Sequence, residues 1–79
     1  MYSMQAPKLI STQQLKAARA LAGLTQKDLG HIMGVDERQI RFWEKRIPTN
    51  GRKRRLLEKA LETAGIECFS DPQIGVRVL

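Results

Sequence analysis

Ser11, Thr25 and Asp36 each stand where a helix can begin, and their spacing leaves room only for short helices. "STQQ" puts Gln14 three residues after Ser11, the arrangement of a capping box. "TQKD" and "DERQ" are related caps with a polar residue at the third helical position. An apolar residue precedes each cap and another follows four positions after it: Ile10 with Leu15, Leu24 with Leu29, Val35 with Ile40. That pairing is a hydrophobic staple, which fixes the angle at which the chain enters a helix. Gly23 and Gly34 supply the left-handed residue that closes a helix. Between the second and third helices only Gly34-Val35-Asp36 remain, and so short a connection forces a sharp angle.

These signals predict helices over 12–22, 26–33 and 37–45. A fourth is expected over 52–64, with Leu56, Leu57, Ala60, Leu61 and Ala64 on one apolar stripe and Gly65 at its end. The last segment, "IECFSDPQIGVRVL", has the form of two short strands around a turn at Ser70-Asp71-Pro72-Gln73. The expected fold is an all-α helix-turn-helix domain of four or five helices with a short C-terminal β-hairpin. Residues 1–10 are expected to be a flexible arm, 11–65 the domain, and 66–79 the hairpin. A two-stranded hairpin is marginal alone, so it must pack on the helices or pair with another chain. Ile66, Phe69, Ile74, Val76 and Val78 are its candidate dimer contacts, with helix 4 beside them.

The charge is concentrated. The 79 residues carry a net +6, and the sequence pI is about 10.1. Residues 38–55 hold eight basic residues against Glu44 alone, a net +7, while the rest of the chain is close to neutral at −1. A local basic patch points to an anionic polymer or surface as partner. A domain this small buries only roughly 60% of its unfolded surface, which favours a module acting through its outer face over an enzyme with a deep pocket. The one histidine, His31, and one cysteine, Cys68, cannot form a zinc site of His/Cys type or an intrachain disulfide. Cys68 is expected to be a buried strand thiol in a reducing, cytoplasmic setting. No run approaches the roughly 20 apolar residues of a membrane helix, and the start "MYSMQAPKLI" lacks the pattern of a signal peptide.

"VDERQIRFWEKR" mixes charge with aromatic bulk. On a helix the adjacent Phe42 and Trp43 point about 100° apart. Trp43 falls beside Ile40 and belongs to the core, whereas Phe42 falls beside Arg38 and Lys45. The outer set is Arg38, Arg41, Phe42 and Lys45, with Glu37 and Gln39 at its margins. It suits a DNA major groove, where arginine can be bidentate to guanine, a carboxylate can accept from cytosine, and an apolar group can meet a thymine methyl. Arg19 and Glu44 each sit at the shoulder of an apolar stripe, so an ion pair between them would tie helix 1 to helix 3. Arg52, Lys53, Arg54 and Arg55 lie at a helix N-terminus, where the dipole disfavours cations. Cations set against the dipole suggest a bound anion, with backbone N–H groups assisting.

The stretch "LTQKDLGHIMGVDERQIRFWEK" resembles the XRE/Cro-like helix-turn-helix family, which includes the lambda and 434 phage repressors. Leu24-Thr25-Gln26, Leu29, Gly34-Val35, Ile40, Trp43-Glu44 and the upstream Arg19 carry the likeness. The ending resembles small bacterial and prophage members that finish in a hairpin. The resemblance implies that Glu37, Arg38 and Phe42 reach base edges, with Arg41 and Gln39 beside them. It implies that Gln26 touches a phosphate and buttresses helix 3, and that Arg19 and Glu44 pair. Lys27, Lys45, Arg46, Arg52, Lys53 and Arg54 are the further phosphate candidates. Two positions depart from the family: Gly30 replaces a usual alanine, and Arg46 stands where glycine commonly follows.

The expected function is sequence-specific binding of double-stranded DNA as a homodimeric transcriptional repressor, without cofactor, metal or small-molecule ligand. A helix-turn-helix antitoxin with a toxin partner, and a phage autorepressor of an anti-CRISPR operon, are the competing readings. An RNA-binding role lacks an aromatic-rich sheet. An enzyme lacks a triad, a metal set and a phosphate loop.

Overall fold

A computed structural model describes residues 8–79. Its order is α1 (Thr12–Leu21), α2 (Gln26–Met33), α3 (Glu37–Lys45), α4 (Gly51–Thr63), β1 (Ile66–Phe69) and β2 (Gly75–Val78). The caps form where the sequence places them. The Ser11 hydroxyl accepts from Gln14 N–H at 3.1 Å, while Gln14 Oε1 accepts from Ser11 N–H at 3.0 Å. Thr25 and Asp28 repeat the exchange at 2.9 Å in both directions. These bonds hold the Asp28 carboxyl below the usual range, the Thr25 backbone N–H contributing most. Asp36 caps α3 through Arg38 N–H at 3.3 Å.

The α2–α3 turn is tighter than its length requires. Gly34 takes φ +72°, and Val35 N–H donates to Gly30 O at 2.8 Å. A Cβ added at Gly30 would stand 2.7 Å from the Val35 carbonyl oxygen. The departure to glycine is therefore a packing requirement here: the turn's backbone occupies the space an alanine methyl would need. Arg46, the other departure, leaves α3 in an extended conformation (φ −150°, ψ 104°). No left-handed residue is needed there, so arginine is accommodated without strain.

Leu15, Ala18, Leu29, Ile40, Leu57 and Leu61 are fully buried at the centre, with Trp43 against them. Three expectations need correction. The arm does not extend to residue 10: Leu9 is fully buried, and its N–H donates to Glu58 Oε2 on α4 at 2.8 Å. Residues 1–7 lie outside the described residues. Ile10, the expected staple partner of Leu15, is 40% exposed, because Leu9 takes the inward place. On α4, Leu57, Ala60 and Leu61 are buried, but Leu56 is 53% exposed. Helix periodicity allows a broad stripe, and packing against the hairpin and α2 selects only part of it.

The hairpin is antiparallel, pairing Ile66 with Val78, Glu67 with Arg77, Cys68 with Val76, and Phe69 with Gly75. It packs on α1 and α4. Ile66 and Cys68 turn into the core. Burial, reinforced by the negative charges of Glu58, Glu62 and Glu67, pushes the Cys68 thiol up to about 12. On the opposite face the Phe69 ring lies over Gly75, where a Cβ would be 2.5 Å from it. The Arg77 guanidinium stacks on that ring at 4.9 Å and pairs with Glu67 at 2.6 Å. Gln14 latches the hairpin to the start of α1. Its buried Nε2 donates toward Lys8 O (3.0 Å), Phe69 O (2.8 Å) and Gly75 O (3.2 Å).

Candidate nucleic-acid interface

Helix α3 divides as its periodicity predicts. Ile40, Trp43 and Glu44 are buried, and Arg38, Arg41, Phe42, Lys45 and Arg46 are exposed. Phe42 is 56% exposed. A large apolar ring held in water beside cations is poorly placed for folding and well placed for contact with a base or sugar. Two local ion pairs hold the charges at the start of the helix. Arg41 meets Glu37 at 3.3 Å across one helical turn, and Arg38 approaches Asp36 at 3.7 Å. Both pairs are exposed, so each contributes little to stability and can be exchanged for other partners. Gln39 is half-buried between α3 and α4, at the margin of the outer face.

The inner side of α3 is fixed by a polar network. Arg19 Nε donates to Glu44 Oε2 at 2.5 Å and its Nη2 to Oε1 at 3.3 Å. Its Nη1 donates to Leu24 O at 2.9 Å, which brings in the α1–α2 connection. Gln26 Nε2 donates to Glu44 Oε1 at 3.1 Å. Burial alone would raise the Glu44 pKa. Hydrogen bonds from Arg19 and Gln26, and then the charges of Arg19 and Lys16, outweigh it and hold the carboxyl below its ordinary value. Glu44 therefore stays ionised while carrying one end of α3. Gln26 buttresses that helix through its amide, while Lys27 stands exposed on the first turn of α2.

The start of α4 differs from expectation. Asn50 caps it, accepting from Arg52 N–H at 2.8 Å and Lys53 N–H at 3.4 Å. These two amides are occupied by the chain itself, so they do not serve as the anion cradle expected from the basic run. The side chains of Arg52 and Lys53 are exposed. Arg54 is half-buried, and its Nε donates to Pro48 O at 2.6 Å. It braces the 46–50 loop. That loop and α3 enclose a cleft of about 340 Å³ lined by Phe42, Arg46, Thr49, Asn50 and Lys53 among others. Phe42, Arg46 and Lys53 thus belong to one continuous surface. Asn50 was legible in "TNGRKRR", since asparagine is a preferred cap. The role of Gln14 beyond its own helix was not, because its partners are 55 and 61 residues away.

The hairpin set separates in the structure. Ile66 is only 2% exposed and belongs to the core of its own chain, so it is withdrawn as a dimer contact. Phe69 and Val76 are half-buried by intrachain packing, whereas Ile74 and Val78 are 55% and 65% exposed. A separate apolar groove of about 520 Å³ runs between α2, α3 and α4, with Trp43 and Ala60 in its floor and Ile32, Leu56 and Lys59 at its rim. No helix among the described residues is long and apolar enough to cross a membrane.

Comparison with curated proteins gives no match. A helix-turn-helix family model matches residues 15–63, from within α1 to the end of α4. That family is one of DNA-binding regulators and not of enzymes. Its match covers the ion pair, the turn and the exposed helix, and the chain accordingly belongs to the XRE/Cro-like helix-turn-helix family.

Proposed function

We propose that the chain is a homodimeric transcriptional repressor that lays α3 into the major groove of an inverted-repeat operator, its own promoter being the first candidate. The observation that carries this reading is the exposed face of α3. Arg38, Phe42 and Lys45 project from a helix whose other side is clamped by Glu44. In this reading Arg38 reads guanine, Phe42 meets a thymine methyl or sugar, and Glu37 and Arg41 exchange their mutual pair for base contacts. Lys27, Lys45, Arg46, Arg52 and Lys53 hold the phosphates on either side. The domain measures 36 × 24 × 22 Å, and one helix reads only a few base pairs. Two copies on half-sites about 34 Å apart, or a multiple of that, supply the specificity. Repression follows from occluding the promoter.

Selection of bound DNA from random sequence, followed by footprinting on the region upstream of the gene, tests the reading. Two half-sites in inverted orientation are expected. A single unrepeated site, or protection independent of sequence, would overturn it.

A further inference from the structure

We propose that the apolar groove between α2, α3 and α4 is a ligand site for a small amphipathic anion, a monocarboxylate with an apolar body, and that filling it opposes DNA binding. The site stands apart from the repressor reading above; its effect on DNA rests on that reading.

The groove encloses about 520 Å³ over a floor of Trp43 and Ala60. Sites for small ligands are mostly apolar, hold roughly 300–1,000 Å³ and carry a few polar groups. Ile32 and Leu56 at the rim are 44% and 53% exposed, and an apolar body laid between them takes both out of water. The charges of the groove are of one sign: Lys53 and Lys59 line it, and no acidic residue does. On a helix they fall about 60° to either side of Leu56, so an ammonium flanks each side of the apolar strip. Both are exposed, and neither pairs with a carboxylate among the described residues. An apolar bed between two free cations is the complement of a carboxylate on a hydrocarbon body. The net +7 over residues 38–55 concentrates anions around it.

Larger occupants fit less well. Ten residues line the groove, against roughly 20–30 a side in a stable protein interface. A second copy would bring the same cations face to face, which is unfavourable. Residues 1–7, "MYSMQAP", contain no carboxylate to answer the lysines.

The groove also adjoins the surface offered to DNA. Gln39, Trp43 and Lys53 line both it and the 340 Å³ cleft beside the 46–50 loop. A carboxylate held by Lys53 from the groove side withdraws that ammonium from the phosphate it would otherwise meet. By linkage, bound DNA weakens the carboxylate by the same factor.

Trp43 is the sole tryptophan, so its emission reports the groove directly. Octanoate is expected to shift that emission saturably, and octylammonium to leave it unchanged. Octanamide should bind about tenfold more weakly, the worth of one hydrogen bond to a charged group. Lys59→Ala should weaken octanoate about tenfold with circular dichroism and DNA affinity unchanged, and Leu56→Asp should abolish its binding. Tyr2→Ser with Met4→Ser should leave octanoate affinity as it is. At constant ionic strength, octanoate should lower the affinity for the selected operator DNA, and octylammonium should not. No saturable shift, binding that ignores the charge of the headgroup, or binding that survives both Lys59→Ala and Leu56→Asp overturns the site. Tighter octanoate binding in the Tyr2/Met4 variant would make the start of the chain the occupant. Conversion of a dimer to a monomer by Leu56→Asp would make it a second copy, and either result overturns the proposal. Octanoate that saturates Trp43 yet leaves DNA affinity unchanged overturns the antagonism. If the chain selects no DNA sequence, the repressor reading falls and the Trp43 titration alone decides the site.

Discussion

Helix α3 and the first turn of α4 both present a dense row of cations, yet they are anchored by different means. The network of Arg19, Gln26 and Glu44 reaches into the interior and fixes α3 to α1 and α2. The start of α4 is secured at the surface, by the Asn50 cap and by Arg54 on the Pro48 carbonyl. A group that must meet one base edge needs its helix held to within a fraction of an ångström. A group that meets a phosphate needs only to be near, since the charge acts over a Debye length of about 8–10 Å. The depth of anchoring therefore separates the part suited to reading sequence from the part suited to supplying affinity.

The largest effect expected from breaking this contrast is at the buried pair. Arg19→Leu strands the Glu44 carboxylate in the interior, and losing one partner of a buried pair costs about 3–5 kcal/mol. Urea denaturation should show that loss, together with weaker binding to all DNA. A cost below about 1 kcal/mol would mean that α3 is held by packing alone. Gly30→Ala comes next. Alanine gains about 1 kcal/mol in helix propensity, but its methyl meets the Val35 carbonyl, and overpacking costs about 1–3 kcal/mol. The midpoint of unfolding should fall; a rise would show that the turn has slack.

On the DNA side, Arg38→Ala should lose about 1–3 kcal/mol at one base position only. Lys53→Ala should weaken every sequence alike and reduce the salt slope by about one. If the two variants behave alike on operator and random DNA, the contrast between helices is wrong. Smaller still is Asn50→Ala, which should cost about 1 kcal/mol of stability by releasing the first amides of α4.

Acid provides the last test. Glu44 is held below its ordinary pKa, so the stability it contributes is present above the unfolded value of about 4.3. That stability is lost as pH falls from there through the folded pKa. The decline below about pH 4.3 should be shallower in a Glu44→Gln variant.

The parts of this molecule governed by local rules were legible in the sequence. Caps at Ser11, Thr25 and Asp36, the turn at Gly34, and the split of Phe42 from Trp43 all depend on neighbours within one or two helical turns. The Arg19–Glu44 pair was also readable, since both residues stand at the edge of an apolar stripe. What escaped depends on contacts between distant segments. Leu9 rather than Ile10 points inward, in a segment tied by the Leu9 N–H to Glu58 on α4. Leu57 rather than Leu56 is buried because of where the hairpin and α2 press on α4. Ile66 belongs to the core because β1 lies across that helix, which its alternating pattern alone could not distinguish from a face offered to a partner. At the interface, the cap at Asn50 and the brace of Arg54 on the Pro48 carbonyl give the start of α4 a structural part that the basic run alone did not disclose.

The amide of Gln14 has a consequence for how the domain comes apart. One side chain in the first turn of α1 ties down the backbone just before that helix and both ends of the hairpin loop. The first and last elements are thus closed on each other. Loosening of the C-terminal hairpin should register in amide exchange at the start of α1, and Gln14→Ala should let both ends fray together. Cooperativity among the described residues then gains from a circular connection, in which one side chain holds the first helix and the last hairpin together.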